Sequence, residues 1–253
     1  MMKKIICILA FFVASGIYSQ NEVLFSKATE AYNSADYEKA ISLYEKIVAN
    51  DKHSAELYFN LGNAYYKKDE VGPSIYYYEK ALLLKPNDSE ILNNLGYAQK
   101  ARLDAIDTLP ISTMQSLYNT TVSKLTHDQW AYVSIGMIIL FVLAYIAYYI
   151  LSIAIQKRIS FLVSITALLF CILSITFAYL QYNSFKSNNP AIIFVREVAI
   201  TSEPTKNSEH IFTLHEGTKV NVLEELNDWM KISIADGQTG WIASENLKLL
   251  KVF

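Results

Sequence analysis

Two long runs without a charge dominate the hydrophobic pattern of this chain. They extend from Trp130 to Ile155 ("WAYVSIGMIILFVLAYIAYYILSIAI") and from Ile159 to Asn183 ("ISFLVSITALLFCILSITFAYLQYN"). Each exceeds the roughly 20 residues a helix needs to cross about 30 Å of hydrocarbon. Neither keeps the polar face of a buried soluble helix. The pattern predicts transmembrane helices at 130–155 and 159–183, joined by a turn at 156–158 that holds Gln156, Lys157 and Arg158. One continuous helix would bury both cations mid-bilayer, at about 2.5–3.5 kcal/mol each. A hairpin turning at the charges avoids that. Short loops rich in Lys and Arg stay cytoplasmic, so Lys157 and Arg158 determine the topology: turn inside, both flanking parts outside.

The amino terminus makes the same demand independently. Lys3 and Lys4 precede an apolar run from Ile5 to Val13, followed by small residues around Ala14, Ser15 and Gly16. That is the layout of a secretory signal, and the run is too short to anchor the chain as a full span. Residues 1–19 are expected to be removed between Ser19 and Gln20. The chain is thus expected in a bacterial inner membrane as a two-pass protein with both terminal domains in the periplasm. Trp130, Tyr132, Tyr179 and Tyr182 then fall at the outer interface, where amphipathic rings are favoured.

Before the first span the pattern is helical and repeats every 34 residues. Ala40, Ile41 and Tyr44 in "DYEKAISLYEKIV" recur as Ser74, Ile75 and Tyr78 in "VGPSIYYYEKALLLKP", and Leu61 and Gly62 recur as Leu95 and Gly96 in "SEILNNLGYAQKA". Leu61, Tyr65, Ile75 and Tyr78 form a seam at helical spacing, and a glycine at 62 and 96 lets paired helices approach. Residues 57–88 resemble a tetratricopeptide repeat, matching at Tyr58, Leu61, Gly62, Tyr65, Tyr78, Ala81 and Pro86. Ser74 departs from the pattern, which prefers Ala. Residues 20–104 therefore read as two and a half repeats, with the helix from Ser89 capping a marginal array. First-helix residues facing away from the seam line the concave face: Phe25, Thr29 and Phe59 with the candidate peptide-binding residues Asn63, Tyr66, Lys67, Asn94 and Tyr97. Residues 105–129 read as a linker in which Met114, Leu117, Val122 and Leu125 allow a short amphipathic helix on the membrane surface.

After Pro190 the period changes to two. "KVNVLEEL", "WMKISIA" and "TGWIASENL" alternate apolar and polar positions around turns at Asn227-Asp228 and Asp236-Gly237. Residues 190–253 read as a small β-barrel. They resemble a bacterial SH3-like domain at Pro204, Leu214, Gly217, Val220, Val222, Trp229, Lys231, Asp236, Gly237, Gly240, Trp241 and Ile242. Domains of that kind bind cell-wall peptides or protein segments, so Trp229 and Trp241 mark a candidate groove. The predicted fold class is multidomain: an all-α tetratricopeptide array, a two-helix transmembrane hairpin and an all-β SH3-like barrel.

Charge and chemistry narrow the function. Lys plus Arg number 22 against 24 Asp plus Glu, which argues against a nucleic-acid partner. Cys7 lies in the signal and Cys171 in an apolar run, so the mature chain forms no internal disulfide. His53, His127, His210 and His215 lack metal-ligand spacing, and no nucleophile elbow, zinc-protease motif, phosphate loop or dinucleotide fingerprint occurs. No catalytic residue, metal or cofactor is expected; the chain reads as a binding protein rather than an enzyme.

The order of signal, repeats, Trp-led hairpin and SH3-like domain resembles the BatE-type proteins of Bacteroidetes aerotolerance operons. "HDQWAYVSIGM" and "FTLHEGTKVNVLEELNDWMKISIADGQTGWI" carry the resemblance best. It implies membrane partners with von Willebrand factor A domains, a MoxR-type ATPase reached indirectly, and a role in envelope integrity or oxygen tolerance. Two functions are open: a scaffold holding protein partners through groove and barrel, or an envelope-sensing module that grips cell-wall peptide through the barrel.

Overall fold

The computed structural model describes residues 20–106 and 109–252. The signal segment at 1–19 lies outside them. Two compact units emerge, one built from residues up to Leu109 together with Asn189 onward, the other from Pro110–Asn188.

The first unit opens with helix α1, described over 20–33. Then come α2 (Tyr37–Ala49), α3 (Ala55–Lys67), α4 (Val71–Leu84) and α5 (Ser89–Lys100). The boundaries follow local chemistry. Asp36, Ser54 and Asp88 cap α2, α3 and α5 by accepting backbone N–H bonds. Ala35, Asp51 and Asp69 take positive φ in the turns between helices. Tyr44, Tyr58 and Tyr78 fill the seam at 1 % exposure or less. A Cβ on Gly62 would lie 2.6 Å from the Tyr78 ring, so only glycine lets α3 and α4 meet there. Ser74, which breaks the repeat pattern, is fully buried and donates its hydroxyl to the Gly62 carbonyl at 2.9 Å. That bond satisfies the one polar atom the departure introduces.

The barrel follows as β1 (Pro190–Ile193), β2 (Glu197–Thr201), β3 (His210–His215), β4 (Lys219–Leu226), β5 (Trp229–Ser233), β6 (Thr239–Ala243) and β7 (Leu247–Leu249). They form one sheet in the order β3-β2-β6-β5-β4-β1-β7, with antiparallel pairings. Alternation puts Met230 and Ile232 of β5 inside with Ile193, Ile200, Leu214 and Ile242.

Array and barrel share a core although the chain leaves the unit between them. Ile192 and Leu250 join the apolar cluster of the helices. The Tyr76 ring meets Phe194 edge-on at 5.2 Å. Lys219 pairs with the buried Glu79 at 2.6 Å. Lys80 donates to the Val252 carbonyl at 2.6 Å, between the rings of Tyr58 and Tyr76, and burial lowers the pKa of its ammonium. Past α5, Asp104 accepts from the His215 backbone N–H at 2.7 Å, bonds His215 Nδ1 at 2.6 Å and accepts from Thr218 Oγ1. Burial alone would raise its pKa, but these bonds outweigh burial and hold the carboxyl below its ordinary value.

The second unit holds α6 (Thr113–Thr120), a 3₁₀ turn (Val122–Lys124), α7 (His127–Ile150) and α8 (Ala154–Ser187). The last two are long and apolar enough to cross a membrane, and their large side chains are mostly exposed, Leu143 at 60 % and Leu169 at 62 %. They run antiparallel: Trp130 meets Phe177, Cys171 meets the Ser134 carbonyl, and Tyr148 meets Phe161. Ser164, Ala167, Cys171 and Ser174 of α8 and Ala144 of α7 are buried. The buried residues are small on both helices, and on α8 their heptad spacing marks the stripe along which the two pack.

The chain reverses at residues 151–153, ahead of the expected 156–158, so the helices are not bounded as 130–155 and 159–183. Gln156, Lys157 and Arg158 instead occupy the first turn of α8. The helix dipole disfavours cations there. The Lys157 ammonium lies 5.9 Å from the centroid of the Tyr148 ring of α7, a cation–π contact across the hairpin.

Candidate functional site

The concave side of the array carries a cavity of about 330 Å³. Asn63, Tyr66 and Lys67 from α3 line it with Asn94 and Tyr97 from α5, so all five residues expected from the repeat spacing meet at one place. The repeat explains this: first helices of successive repeats lie side by side, and residues on their inner faces converge. Phe25, Thr29 and Phe59 do not line this cavity. Phe25 packs edge-on against Tyr44, Thr29 bonds the Tyr44 hydroxyl, and Phe59 packs on Tyr78.

Spacing alone missed Tyr32, Tyr78 and Glu90, which also line the cavity. Tyr78 was expected only in the seam, yet its hydroxyl passes through to the groove and donates to Asn63 Oδ1 at 2.6 Å. Burial raises its pKa well above the ordinary phenol range, so it stays a donor. Asn94 Nδ2 donates to the same oxygen at 3.0 Å. These two bonds commit the Asn63 carbonyl and leave its Nδ2 as the donor end, while Asn94 keeps Oδ1 as an acceptor. One amide donor beside one amide acceptor complements the C=O and N–H of a peptide unit. Lys67 and Glu90 place one charge of each sign at the rim. Tyr97, 53 % exposed, adds an aromatic surface under the Lys100 ammonium, 5.5 Å from its ring.

On the barrel, β5 and β6 pair Trp229 with Ala243 and Lys231 with Trp241. Directly opposed residues share a face, so both tryptophans lie on the outer side of the sheet. They differ in access. Trp241 is 9 % exposed, with the Lys231 ammonium 6.0 Å from its ring. Trp229 is half-buried beside its pair Leu226, which is 45 % exposed.

Among the described residues, no group of three or more His, Cys, Asp and Glu side chains has the arrangement to hold a metal ion. Three of the histidines make side-chain hydrogen bonds: His53 with Tyr58, His210 with Thr213 and His215 with Asp104.

The comparisons agree with this architecture. Residues 55–88 match the family model of the tetratricopeptide repeat, and residues 193–248 match that of the bacterial SH3 domain. Among curated proteins, none matches the chain. The chain thus carries a tetratricopeptide repeat and a bacterial SH3 domain, modules that suggest protein–protein interaction or cell-wall binding, together with two helices long and apolar enough to span a membrane.

Proposed function

We propose that this protein is a non-catalytic, membrane-anchored scaffold that holds extended segments of protein partners in the concave groove, at the periplasmic face of a bacterial inner membrane. The observation that carries this reading is the Asn63–Asn94 pair, whose shared bond leaves one donor and one acceptor facing a groove with tyrosines on its wall. The packing of array and barrel into one unit supports their lying on one side of the membrane. An antiparallel pair of spanning helices returns the chain to the side it left. Lys157 and Arg158, beside the reversal, favour the cytoplasmic side for the turn.

The order of domains extends the proposal. By resemblance to BatE-type proteins, the partners are membrane proteins with von Willebrand factor A domains, coupled to a MoxR-type ATPase in an aerotolerance or envelope-stress complex. A second reading, a wall-binding module, is favoured by Trp229 and Leu226 on the outer face of the barrel.

The test places a photo-crosslinking residue at Tyr97 in the full-length protein in cells. Adducts to other membrane proteins, lost when Asn63→Ala and Asn94→Ala are combined, are expected. Absence of protein adducts, with sedimentation on wall sacculi that depends on Trp229, would favour the second reading instead.

A further inference from the structure

Helix α6 is amphipathic, and its polar side carries no charge. Met114 and Leu117 share one face at i, i+3 spacing, and Tyr118 joins them at i, i+4 from Met114. Gln115, Ser116, Asn119 and Thr120 take the other side. From Pro110 to Ser123 the chain holds no charged residue. Met114 is 75 % exposed and Leu117 57 %, and the exposed Ile111 stands just ahead of the helix. The spacing expected Val122 on this surface as well, but Val122 turns inward and is buried, and its carbonyl accepts from Trp130 Nε1 at 2.9 Å.

The depth of the apolar face follows from what α6 is fastened to within its own unit. Tyr118 donates its hydroxyl to Gln181 of α8. Trp130 of α7 holds the 3₁₀ turn that follows α6, and the His127 ring lies against Tyr182 and Phe185. Gln181 stands between Tyr179 and Tyr182, both exposed, at the end of α8 far from the chain reversal. Exposed tyrosines at the end of an apolar span mark the level of the lipid headgroups. A helix bonded at that level through Tyr118 turns the residues beside Tyr118, Met114 and Leu117, toward the bilayer.

We propose that α6 is an interfacial helix whose Met114 and Leu117 insert into the lipid leaflet at the end of the hairpin opposite the turn. The proposal rests on the reading of α7 and α8 as membrane spans. Continuity names the occupant: through Tyr118 and Gln181 the α6 face joins the exposed apolar surface of α8, and on that reading the surface is covered by lipid. The uncharged polar side then sets the kind of binding. Interfacial helices rich in Lys and Arg add attraction to anionic headgroups to the burial of their apolar face. Helix α6 has no such residue, and Lys124 stands past its end in the 3₁₀ turn. Its insertion depends on apolar contact and is indifferent to headgroup charge. Eight residues bind a bilayer weakly by themselves, and the hairpin compensates by holding the helix at the surface.

The test uses the full-length protein reconstituted in vesicles, with single cysteines in a Cys7→Ser, Cys171→Ser background carrying a fluorophore that spin-labelled lipid quenches. Leu169→Cys, on the exposed surface of α8, reports whether the hairpin spans the bilayer. Quenching at Met114→Cys is expected to exceed that at Asn119→Cys, on the polar side, by at least about threefold, and to fall toward the Asn119→Cys level when Leu117→Glu is added. It should be the same in neutral phosphatidylcholine and in mixtures with anionic phosphatidylglycerol. Quenching at Leu169→Cys without quenching at Met114→Cys would overturn the proposal and leave the membrane reading intact; quenching at neither would overturn both. Quenching at Met114→Cys only when phosphatidylglycerol is present would overturn it too. So would a disulfide formed in high yield between Met114→Cys and Leu92→Cys, which would cover the α6 face with the array instead of lipid.

Discussion

Helices α3 and α5 are two copies of one repeat half, and they are held in place by different means. A helix closes α3: Tyr77 and Tyr78 of α4 cover Tyr65 and Gly62. An aspartate fixes the end of α5: Asp104 takes bonds from His215 and Thr218 of the barrel, and among the described residues nothing lies within 4 Å of a Cβ added at Gly96. The difference shows how a short array persists below the roughly three repeats such folds need. The barrel, reached only after the apolar helical hairpin, supplies apolar surface and hydrogen bonds to the array.

That contrast is sharpest at the paired glycines. Gly62→Leu should destabilise the first unit by about 3 kcal/mol, because the side chain must displace the Tyr78 ring; urea-dependent proteolysis of the array would measure it. Asp104→Ala should cost about 2 kcal/mol, since it strands the His215 N–H and the Thr218 hydroxyl without their acceptor. Its signature is greater hydrogen exchange in α5 and β3 together rather than in either alone.

The pH dependence of the same contact has a definite sign. The carboxyl is held below its ordinary value in the folded state. Its stabilisation is therefore complete above the unfolded pKa of about 4 and is lost as pH falls through the folded value. The protection of β3 amides, taken relative to the unstructured exchange rate at each pH, should stay constant from neutral pH down to that range and fall only below it.

Tyr78→Phe sits between seam and groove. It should cost about 1 kcal/mol by removing the bond to Asn63, and it should weaken peptide binding in the groove because Asn63 is then held by the Asn94 bond alone. The smallest effect has the opposite sign. Gly96→Ala should stabilise α5 by about 0.5–1 kcal/mol, since its Cβ meets open space and the helix loses a flexible residue. Equal effects at Gly62 and Gly96 would erase the contrast between the two helices.

The repeat spacing made the groove legible because convergence of Asn63, Lys67 and Asn94 needs only a period and a helix geometry. Tyr78 escaped, since a residue can serve the seam with its ring and the groove with its hydroxyl, and spacing assigns it one role. Ser74 was visible as a departure from the pattern, but its bond to the Gly62 carbonyl required the packed pair. Asp104 and Glu79 gave no signal, because their partners lie more than a hundred residues away across the hairpin. The reversal was misplaced because the expectation put it at the charges, whereas α7 ends at Leu151 and both cations fall inside α8. The small heptad Ser164, Ala167, Cys171 and Ser174 was readable in the second apolar run, yet hydropathy alone does not separate a helix-facing stripe from a lipid-facing one.

The claim on which the account rests is that array and barrel form one body on the face of the membrane opposite the turn. Single cysteines at Lys27, Lys206 and Gln156, placed in a Cys171→Ser background, can be probed with a membrane-impermeant thiol reagent in cells whose outer membrane has been opened. The account requires Lys27→Cys and Lys206→Cys to react and Gln156→Cys to stay silent until the inner membrane is lysed; labelling of only one of the first two, or of Gln156→Cys in intact cells, would contradict it.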